Sequence, residues 1–255
     1  MDRATVVEDR FMVRWPAMHA VILDIDGTLI NSNEIDDMLY LTAVRRVLGG
    51  AKVRESWSLY RNVTDAGILD EILDDNSLLR SAAILSAVRD CFVESVQQHI
   101  ARTGPFMEIP GAREYVTGLR ASNSHRVAYA TGGWSASASI KLESARFPLE
   151  GIPLASSDDY RDRESIMIHA LNQLGGDFQS ITYYGDGEWD EAASKNLGWK
   201  FVPVGKRLGG LARFEPVGAC GLGGGQNRSG YVRAFSRRRR VLVNRVEPGE
   251  QAVAS

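Results

Sequence analysis

The sequence contains few of the residues that build cross-linked or membrane-bound proteins. It has two cysteines in 255 residues, Cys91 and Cys220, which are too few for a disulfide framework and favour a reducing cytoplasm. No apolar stretch is long enough to cross a bilayer. The first residues carry acidic side chains and lack an apolar run, so we predict no secretory signal. These absences predict a cytoplasmic protein without a membrane partner.

The chain as a whole also lacks an excess of charge of one sign. Its 30 Lys and Arg residues nearly balance its 32 Asp and Glu residues, so there is no general reason to expect nucleic acid as a partner. The balance is uneven, because ten basic and only three acidic residues lie between Lys206 and the end. A Gly-rich stretch at 218–230 and four arginines at 237–240 follow there. We expect this region to be a flexible tail rather than an RNA site.

The most informative stretch is residues 21–33, with the sequence VILDIDGTLINSN. Its three apolar residues predict a strand that is buried on both faces, as in a parallel sheet. Asp24 and Asp26 follow at the carboxyl end of this strand, where ligands bind on open α/β sheets. Gly27 then allows a sharp turn of the backbone. Because two buried carboxylates repel each other and lose hydration, a partner cation is expected beside them.

This stretch resembles the first motif of the haloacid dehalogenase superfamily, whose members are mostly phosphohydrolases. In that family the first aspartate attacks phosphorus and the second is the general acid/base, so the resemblance implies these roles for Asp24 and Asp26. The chemistry suits the residues. A carboxylate nucleophile divides the hydrolysis into formation and breakdown of an acyl phosphate. A second carboxyl group can protonate the leaving oxygen and then activate water.

The sequence pattern of residues 34–102 predicts helices and no strand. Ser32 or Asn33 can begin a helix that ends near Leu48, and Thr64 can cap a second helix. Apolar residues recur at helical spacing in a third helix, between Ile84 and Ile100. A helical insert at this place resembles the C1-type cap of the superfamily, as in phosphoglycolate phosphatases and β-phosphoglucomutase-like proteins.

The predicted organisation is therefore an α/β fold, a Rossmann-like parallel sheet core of the haloacid dehalogenase type with an inserted all-helical cap. The segments are an N-terminal extension at 1–17, the core at 18–32 and 106–205, the cap at 33–105 and the tail at 206–255.

A second motif follows the next predicted strand, His125–Ala130, which runs into Thr131, Gly132 and Gly133. This resembles the second motif of the superfamily, a strand that ends in Ser or Thr. A hydroxyl and free backbone N–H groups at a strand end suit phosphate oxygens. We therefore expect Thr131 and Gly132 to bind phosphate.

The strand predicted at 181–184 ends in the sequence GDGEWD, which places Asp186 at the strand end and Asp190 four residues later. This resembles the fourth motif, whose acids help to hold Mg²⁺. Hard oxygen ligands and a phosphate substrate suit Mg²⁺ rather than zinc. The resemblance implies a Mg²⁺ site formed by Asp24, Asp186 and Asp190, with the backbone carbonyl of Asp26.

The third motif departs from the family pattern, because no Lys-Pro precedes the helix predicted after Asp162. Arg161 and Arg163 are the nearby cations, and a guanidinium can bind phosphate oxygens through two hydrogen bonds. A gapless match to the family pattern favours Arg161, a position at the helix start favours Arg163, and Lys141 is a third candidate. We expect one arginine to face Asp24 and the other to face solvent, with a slight preference for Arg163.

These features predict a phosphoric monoester hydrolase that acts on a small phosphorylated metabolite through an aspartyl-phosphate. A phosphomutase would use the same motifs. A haloalkanoic acid dehalogenase would, by resemblance, lack Asp26 and need no metal. A non-catalytic binding protein should have lost at least one of Asp24, Asp26 or Asp186. The sequence gives no prediction of the oligomeric state.

Overall fold

The computed structural model describes residues 17–217, and within this range the chain forms five β-strands and seven α-helices. The strands are β1 (His19–Leu23), β2 (His125–Ala130), β3 (Leu154–Ala155), β4 (Ser180–Gly185) and β5 (Lys200–Pro203). The helices are α1 (Asn33–Leu48), α2 (Asp65–Asp75), α3 (Ala82–Thr103), α4 (Ala112–Ala121), α5 (Ser135–Ser144), α6 (Arg163–Leu174) and α7 (Glu188–Leu197). The predictions for the N-terminal extension, the Gly-rich stretch and the arginine run lie outside the described residues.

All five strands are parallel, in the order β3-β2-β1-β4-β5, with β1 at the centre. The central strand is apolar from Ala20 to Leu23 because both faces of the sheet are covered. Val21 and Leu23 point into one hydrophobic cluster, and Ile22 between them points into a second cluster on the other face. This arrangement confirms the predicted α/β fold class.

Three helices, α1 to α3, fill the span between β1 and α4, and no strand lies among the residues described there. The Thr64 hydroxyl caps α2 by accepting a hydrogen bond from the backbone N–H of Gly67 at 3.1 Å. Tyr40 of α1 lies with its ring centroid 5.8 Å from Phe92 of α3 and 5.7 Å from Trp134, which directly precedes α5. The helices of 33–105 are thus joined to the sheet region by aromatic packing. Their division into a separate cap domain stays a prediction.

The folded region extends past residue 205, where the predicted tail begins. Leu211 donates a backbone hydrogen bond to the Pro203 carbonyl at 2.9 Å, and Phe214 donates one to the Pro110 carbonyl at 2.8 Å. The Phe214 ring is buried, with its centroid 5.2 Å from that of Tyr115 and 5.6 Å from that of Tyr184. We predicted a flexible tail from residue 206, but the structure shows that the chain stays packed on the core up to residue 217. The burial of one aromatic side chain keeps this segment on the core.

Candidate active site

The ends of three neighbouring strands bring most of the predicted site residues together. Leu23, the last residue of β1, lies opposite Tyr129 in β2 and Tyr184 in β4. Residues that follow these three strands therefore emerge at the same edge of the sheet, where open α/β sheets bind ligands. A cleft lies there, between the sheet edge and the helices of 33–105. The predicted site residues in its lining are Asp24, Asp26, Thr131, Gly132, Arg163 and Asp186.

Asp24 is buried directly after β1, with 4% of its surface exposed. One carboxylate oxygen accepts a hydrogen bond from the Thr28 hydroxyl at 3.2 Å, and the other accepts one from Nη1 of Arg163 at 3.1 Å. Burial, followed by the nearby charge of Asp190, raises the pKa of Asp24 well above its usual range, and the Arg163 guanidinium opposes this rise. The ionised form of Asp24 therefore depends on positive charge nearby.

Two further buried carboxylates face Asp24. Oxygens of Asp24, Asp186 and Asp190 all lie within 4.8 Å of one another. Asp186 accepts a hydrogen bond from the Asn33 side-chain amide at 2.7 Å, and Asp190 accepts one from the backbone N–H of Gly187 at 3.1 Å. Burial, together with the charge of Asp190, raises the pKa of Asp186 to about 6. The three acids thus form one buried and strongly anionic cluster.

The residues of this cluster fit a divalent metal ion. Three carboxylates supply hard oxygen donors, and the Arg163 guanidinium that contacts them cannot by itself balance three negative charges. The carboxylate of Asp26 is not part of the cluster. Its backbone carbonyl as a metal ligand stays a prediction.

Gly27 is required at its position for two reasons. Its backbone has a φ of +76°, a conformation that L side chains rarely adopt. A Cβ atom there would also overlap the carboxylate of Asp186 and the side chain of Asn33. The glycine after Asp26 therefore lets the loop turn and lets β1 and β4 bring their acids close together.

The two candidate arginines take different directions. Arg163 is the first residue of α6, whose cap is the Asp162 carboxylate accepting from the Ser165 N–H at 2.8 Å. The Arg163 side chain is only 10% exposed and lies against Asp24. Arg161 instead forms an ion pair with Asp70 of α2 at 2.9 Å and is 41% exposed. The structure thus brings Arg163, and not Arg161, to the predicted nucleophile.

The third candidate cation, Lys141, contacts the other aspartate of the first motif. Its Nζ atom lies 2.6 Å from Oδ1 of Asp26 and 2.6 Å from Oδ1 of Asp36, and its side chain is fully buried in α5. Ser32 donates a further hydrogen bond to Oδ1 of Asp26. Lys141 therefore belongs to the surroundings of Asp26, and the structure does not place it beside Asp24.

The Thr-Gly-Gly segment after β2 also lines the cleft. Thr131 is buried, and its hydroxyl accepts a hydrogen bond from the backbone N–H of Gly133 at 3.0 Å. A Cβ atom at Gly132 would lie 2.6 Å from Nη2 of Arg163 and 3.0 Å from the Val63 carbonyl. Glycine at position 132 therefore leaves the space through which Arg163 reaches the site.

Sequence reasoning missed several residues that the helices of 33–105 contribute to the cleft. Asn33, Asp36, Tyr40, Trp57 and Asp65 line it, together with Trp189 and Arg207. Asp65 accepts a hydrogen bond from the backbone N–H of Trp134 at 3.0 Å and donates its own N–H to the Gly132 carbonyl at 2.8 Å. Acidic residues in a first helical turn are usually explained by the helix dipole, so their sequence position gave no separate signal.

Comparison with known proteins identifies the family. A sequence model of the haloacid dehalogenase-like hydrolases matches residues 18–198. The chain belongs to this family of hydrolases. The family resemblance and the prediction of an enzyme are both confirmed. Comparison with curated proteins found no match.

Solved structures of this fold are similar to the chain at low sequence identity. A hydrolase from Pseudomonas syringae has a TM-score of 0.57 and 18% identity, with 72% of this chain and 83% of that chain covered. CbbY from Rhodobacter sphaeroides in complex with phosphate has a TM-score of 0.56 and 17% identity, with 80% and 92% covered. Identities this low show a common fold. Among residues 17–217, no helix has both the length and the apolar character needed to cross a membrane.

Proposed function

We propose that this hydrolase is a Mg²⁺-dependent phosphatase that cleaves a phosphate monoester of a small metabolite through an aspartyl-phosphate. The observation that carries the proposal is the position of Asp24. Its buried carboxylate lies at the end of the central strand, 3.1 Å from a guanidinium nitrogen and beside two more acids. A nucleophile for phosphorus, a fixed positive charge and a set of oxygen ligands for a metal ion thus meet at one point.

In the first half-reaction a carboxylate oxygen of Asp24 attacks phosphorus, and the bond from phosphorus to the ester oxygen breaks. Both reactants are anionic, so their approach is unfavourable unless positive charge is held nearby. Arg163 supplies such a charge from the rigid start of α6, where it can donate hydrogen bonds to the phosphoryl oxygens. Thr131, at the neighbouring strand end, offers a hydroxyl to the same oxygens.

Asp26 is the proton carrier in this proposal. Its carboxyl group gives a proton to the leaving oxygen when the ester bond breaks. It then takes a proton from the water molecule that attacks phosphorus in the aspartyl-phosphate. The bond between phosphorus and Asp24 breaks, inorganic phosphate leaves, and both aspartates return to their starting states.

The residues that would hold Mg²⁺ are Asp24, Asp186 and Asp190, together with the backbone carbonyl of Asp26. When bound, Mg²⁺ would offset the charge of the carboxylates and of the phosphoryl group. Without positive charge of this kind, burial keeps the pKa of Asp24 high and disfavours the ionised nucleophile.

The surroundings of the cleft support a small phosphorylated substrate. Aromatic side chains of Tyr40, Trp57 and Trp189 line it beside the acids, and aromatic walls with a few placed polar groups are typical of small-molecule sites. CbbY from Rhodobacter sphaeroides, which shares the fold, was solved with phosphate, and a variant of it was solved with xylulose-(1,5)bisphosphate. These complexes are of proteins only 16–17% identical to this chain, so they support the substrate class and no particular metabolite.

A screen of phosphorylated metabolites, with p-nitrophenyl phosphate as a general substrate, tests the proposal. We expect release of inorganic phosphate in the presence of Mg²⁺, none in excess EDTA, and recovery when Mg²⁺ is added back. Transfer of the phosphoryl group to another position of the substrate without release of phosphate would indicate the phosphomutase alternative. Full activity in excess EDTA would contradict the metal-dependent mechanism.

A further inference from the structure

A buried lysine lies behind the proposed proton carrier. Lys141 projects from α5 with a fully buried side chain, and its ammonium group contacts two carboxylate oxygens at 2.6 Å each. One belongs to Asp26 and the other to Asp36 of α1. Burial by itself would lower the pKa of Lys141, but the charges of the two aspartates raise it above its usual range. The lysine is therefore a fixed cation between the sheet region and the first inserted helix.

The two oxygens of Asp26 have different surroundings. Oδ1 accepts hydrogen bonds from both Lys141 and Ser32. Among the residues of the described range, Oδ2 accepts no hydrogen bond. It faces the cleft, 3.7 Å from the position that a Cβ atom would take on Gly133, and the hydroxyl of Thr131 lies 3.4 Å from that position. One oxygen is thus anchored, and the other is turned toward the predicted phosphate-binding segment.

We propose that Lys141 is a positioning residue that anchors one oxygen of Asp26, so that the other oxygen is presented to the leaving group of the substrate. Asp36 is the second anchor, because it holds the ammonium group from the opposite side. The inference rests on the acid/base role proposed for Asp26. It adds a lysine on α5 and an aspartate on α1 to the residues on which proton transfer depends.

The geometry favours this role over a purely structural ion pair. A lysine that only tied α5 to α1 would need one partner, Asp36, and could leave Asp26 to solvent. Instead, Lys141 lies equally close to both carboxylates. Proton transfer requires a donor within hydrogen-bond reach of the leaving oxygen, so a carboxylate free to rotate would lose effectiveness.

The test compares substrates with different leaving groups. p-Nitrophenolate leaves without a proton, whereas the alkoxide of an alkyl phosphate, such as glycerol phosphate, needs one. Breakdown of the aspartyl-phosphate, in which Asp26 acts as the base, is common to both substrates, so the comparison uses kcat/KM, which reports on the first half-reaction alone. In Lys141→Met we expect kcat/KM for the alkyl phosphate to fall on the order of tenfold or more, with a much smaller change for p-nitrophenyl phosphate. Asp26→Asn should show the same selectivity with a larger loss, about a hundredfold or more. Lys195→Met, at an exposed lysine of α7, is the matched control and should change neither rate.

The outcomes separate this inference from the proposed function. Equal losses for both substrates in Lys141→Met, with selective loss in Asp26→Asn, would overturn the positioning role and leave the acid/base role intact. If Asp26→Asn itself is not selective, the proposed role of Asp26 fails.

A second variant keeps the test decisive if Lys141→Met does not fold. Asp36→Asn retains the lysine and a side chain of the same size, and it removes only the second anchor. We expect a smaller loss, about threefold to tenfold, that is again selective for the alkyl phosphate. An Asp36→Asn enzyme that is folded and shows no change in the ratio of the two kcat/KM values would contradict the proposal.

Discussion

The two aspartates of the first motif are separated by one residue, yet their carboxylates contact different basic residues, which define two regions of the cleft. Asp24 lies with the carboxylates of Asp186 and Asp190 and contacts the guanidinium of Arg163. Asp26 contacts the ammonium group of Lys141, and the same group also contacts Asp36. The basic residue of each region comes from a different helix, α6 for Asp24 and α5 for Asp26.

This difference shows how one short loop can support two kinds of chemistry. The Asp24 region has an excess of negative charge that a divalent cation can offset, and this suits a nucleophile that must stay ionised beside phosphate. In the Asp26 region, a buried ammonium group already contacts the carboxylate at 2.6 Å. This contact suits a group that is held in place while it exchanges a proton.

The largest expected effect comes from removing the nucleophile of the first region. Asp24→Asn should reduce turnover of p-nitrophenyl phosphate to the background rate, because the amide is nearly isosteric but is a poor nucleophile. Steady-state rates, with circular dichroism to verify the fold, are the measurement. Appreciable turnover in a preparation free of wild-type protein and of deamidated residue 24 would rule out the covalent role of Asp24.

A smaller effect is expected from the cation of the same region. Arg163→Ala should lower kcat/KM roughly a hundredfold or more, because it removes a buried charge that faces the attacking group. Arg161→Ala is the matched control. It lies two residues earlier, pairs with Asp70 and is 41% exposed, so we expect a change within about twofold. Comparable losses in the two variants would contradict the assignment of Arg163 as the phosphate-binding cation.

The smallest effect concerns protein stability, and it tests how strongly the acids of the Asp24 region destabilise the metal-free fold. Burial raises the pKa of Asp186 to about 6, so the folded, metal-free protein loses stability as the pH rises from about 4 to about 6. Asp186→Asn removes this penalty, which amounts to at most about 3 kcal/mol. We expect the variant to melt several degrees higher than wild type in EDTA at pH 8, with no gain near pH 4.

The exposed residue Asp177 provides a control for that experiment. Asp177→Asn should leave the melting temperature nearly unchanged at both pH values. If Asp186→Asn is less stable than wild type at pH 8, its hydrogen bond with Asn33 outweighs the repulsion within the cluster, and the account of this region is wrong.

Much of the fold followed from local patterns. The strand at 125–130 and the start of α6 after Asp162 were predicted as they are observed, because apolar runs and caps are set by neighbouring residues. The sequence also placed Asp24, Thr131 and Asp186 at strand ends, and parallel pairing brings such ends to one edge.

The cations could not be assigned in the same way. The choice between Arg161 and Arg163 depends on which way each side chain leaves the turn before α6, and sequence reasoning gave only a slight preference for Arg163. The contact between Lys141 and Asp36 joins residues 105 positions apart, so it depends on how α1 packs against α5. The burial of Phe214 likewise depends on tertiary packing against aromatic rings of α4 and β4.

The measurement that tests the central claim most directly is mass spectrometry of the enzyme quenched in acid during turnover of p-nitrophenyl phosphate with Mg²⁺. The account predicts that the peptide containing residue 24 gains the mass of one phosphoryl group, and that the gain is absent from Asp24→Asn. A phosphoryl group found on another residue, or an active enzyme in which single-turnover quenching never traps a phosphorylated peptide, would contradict Asp24 as the nucleophile.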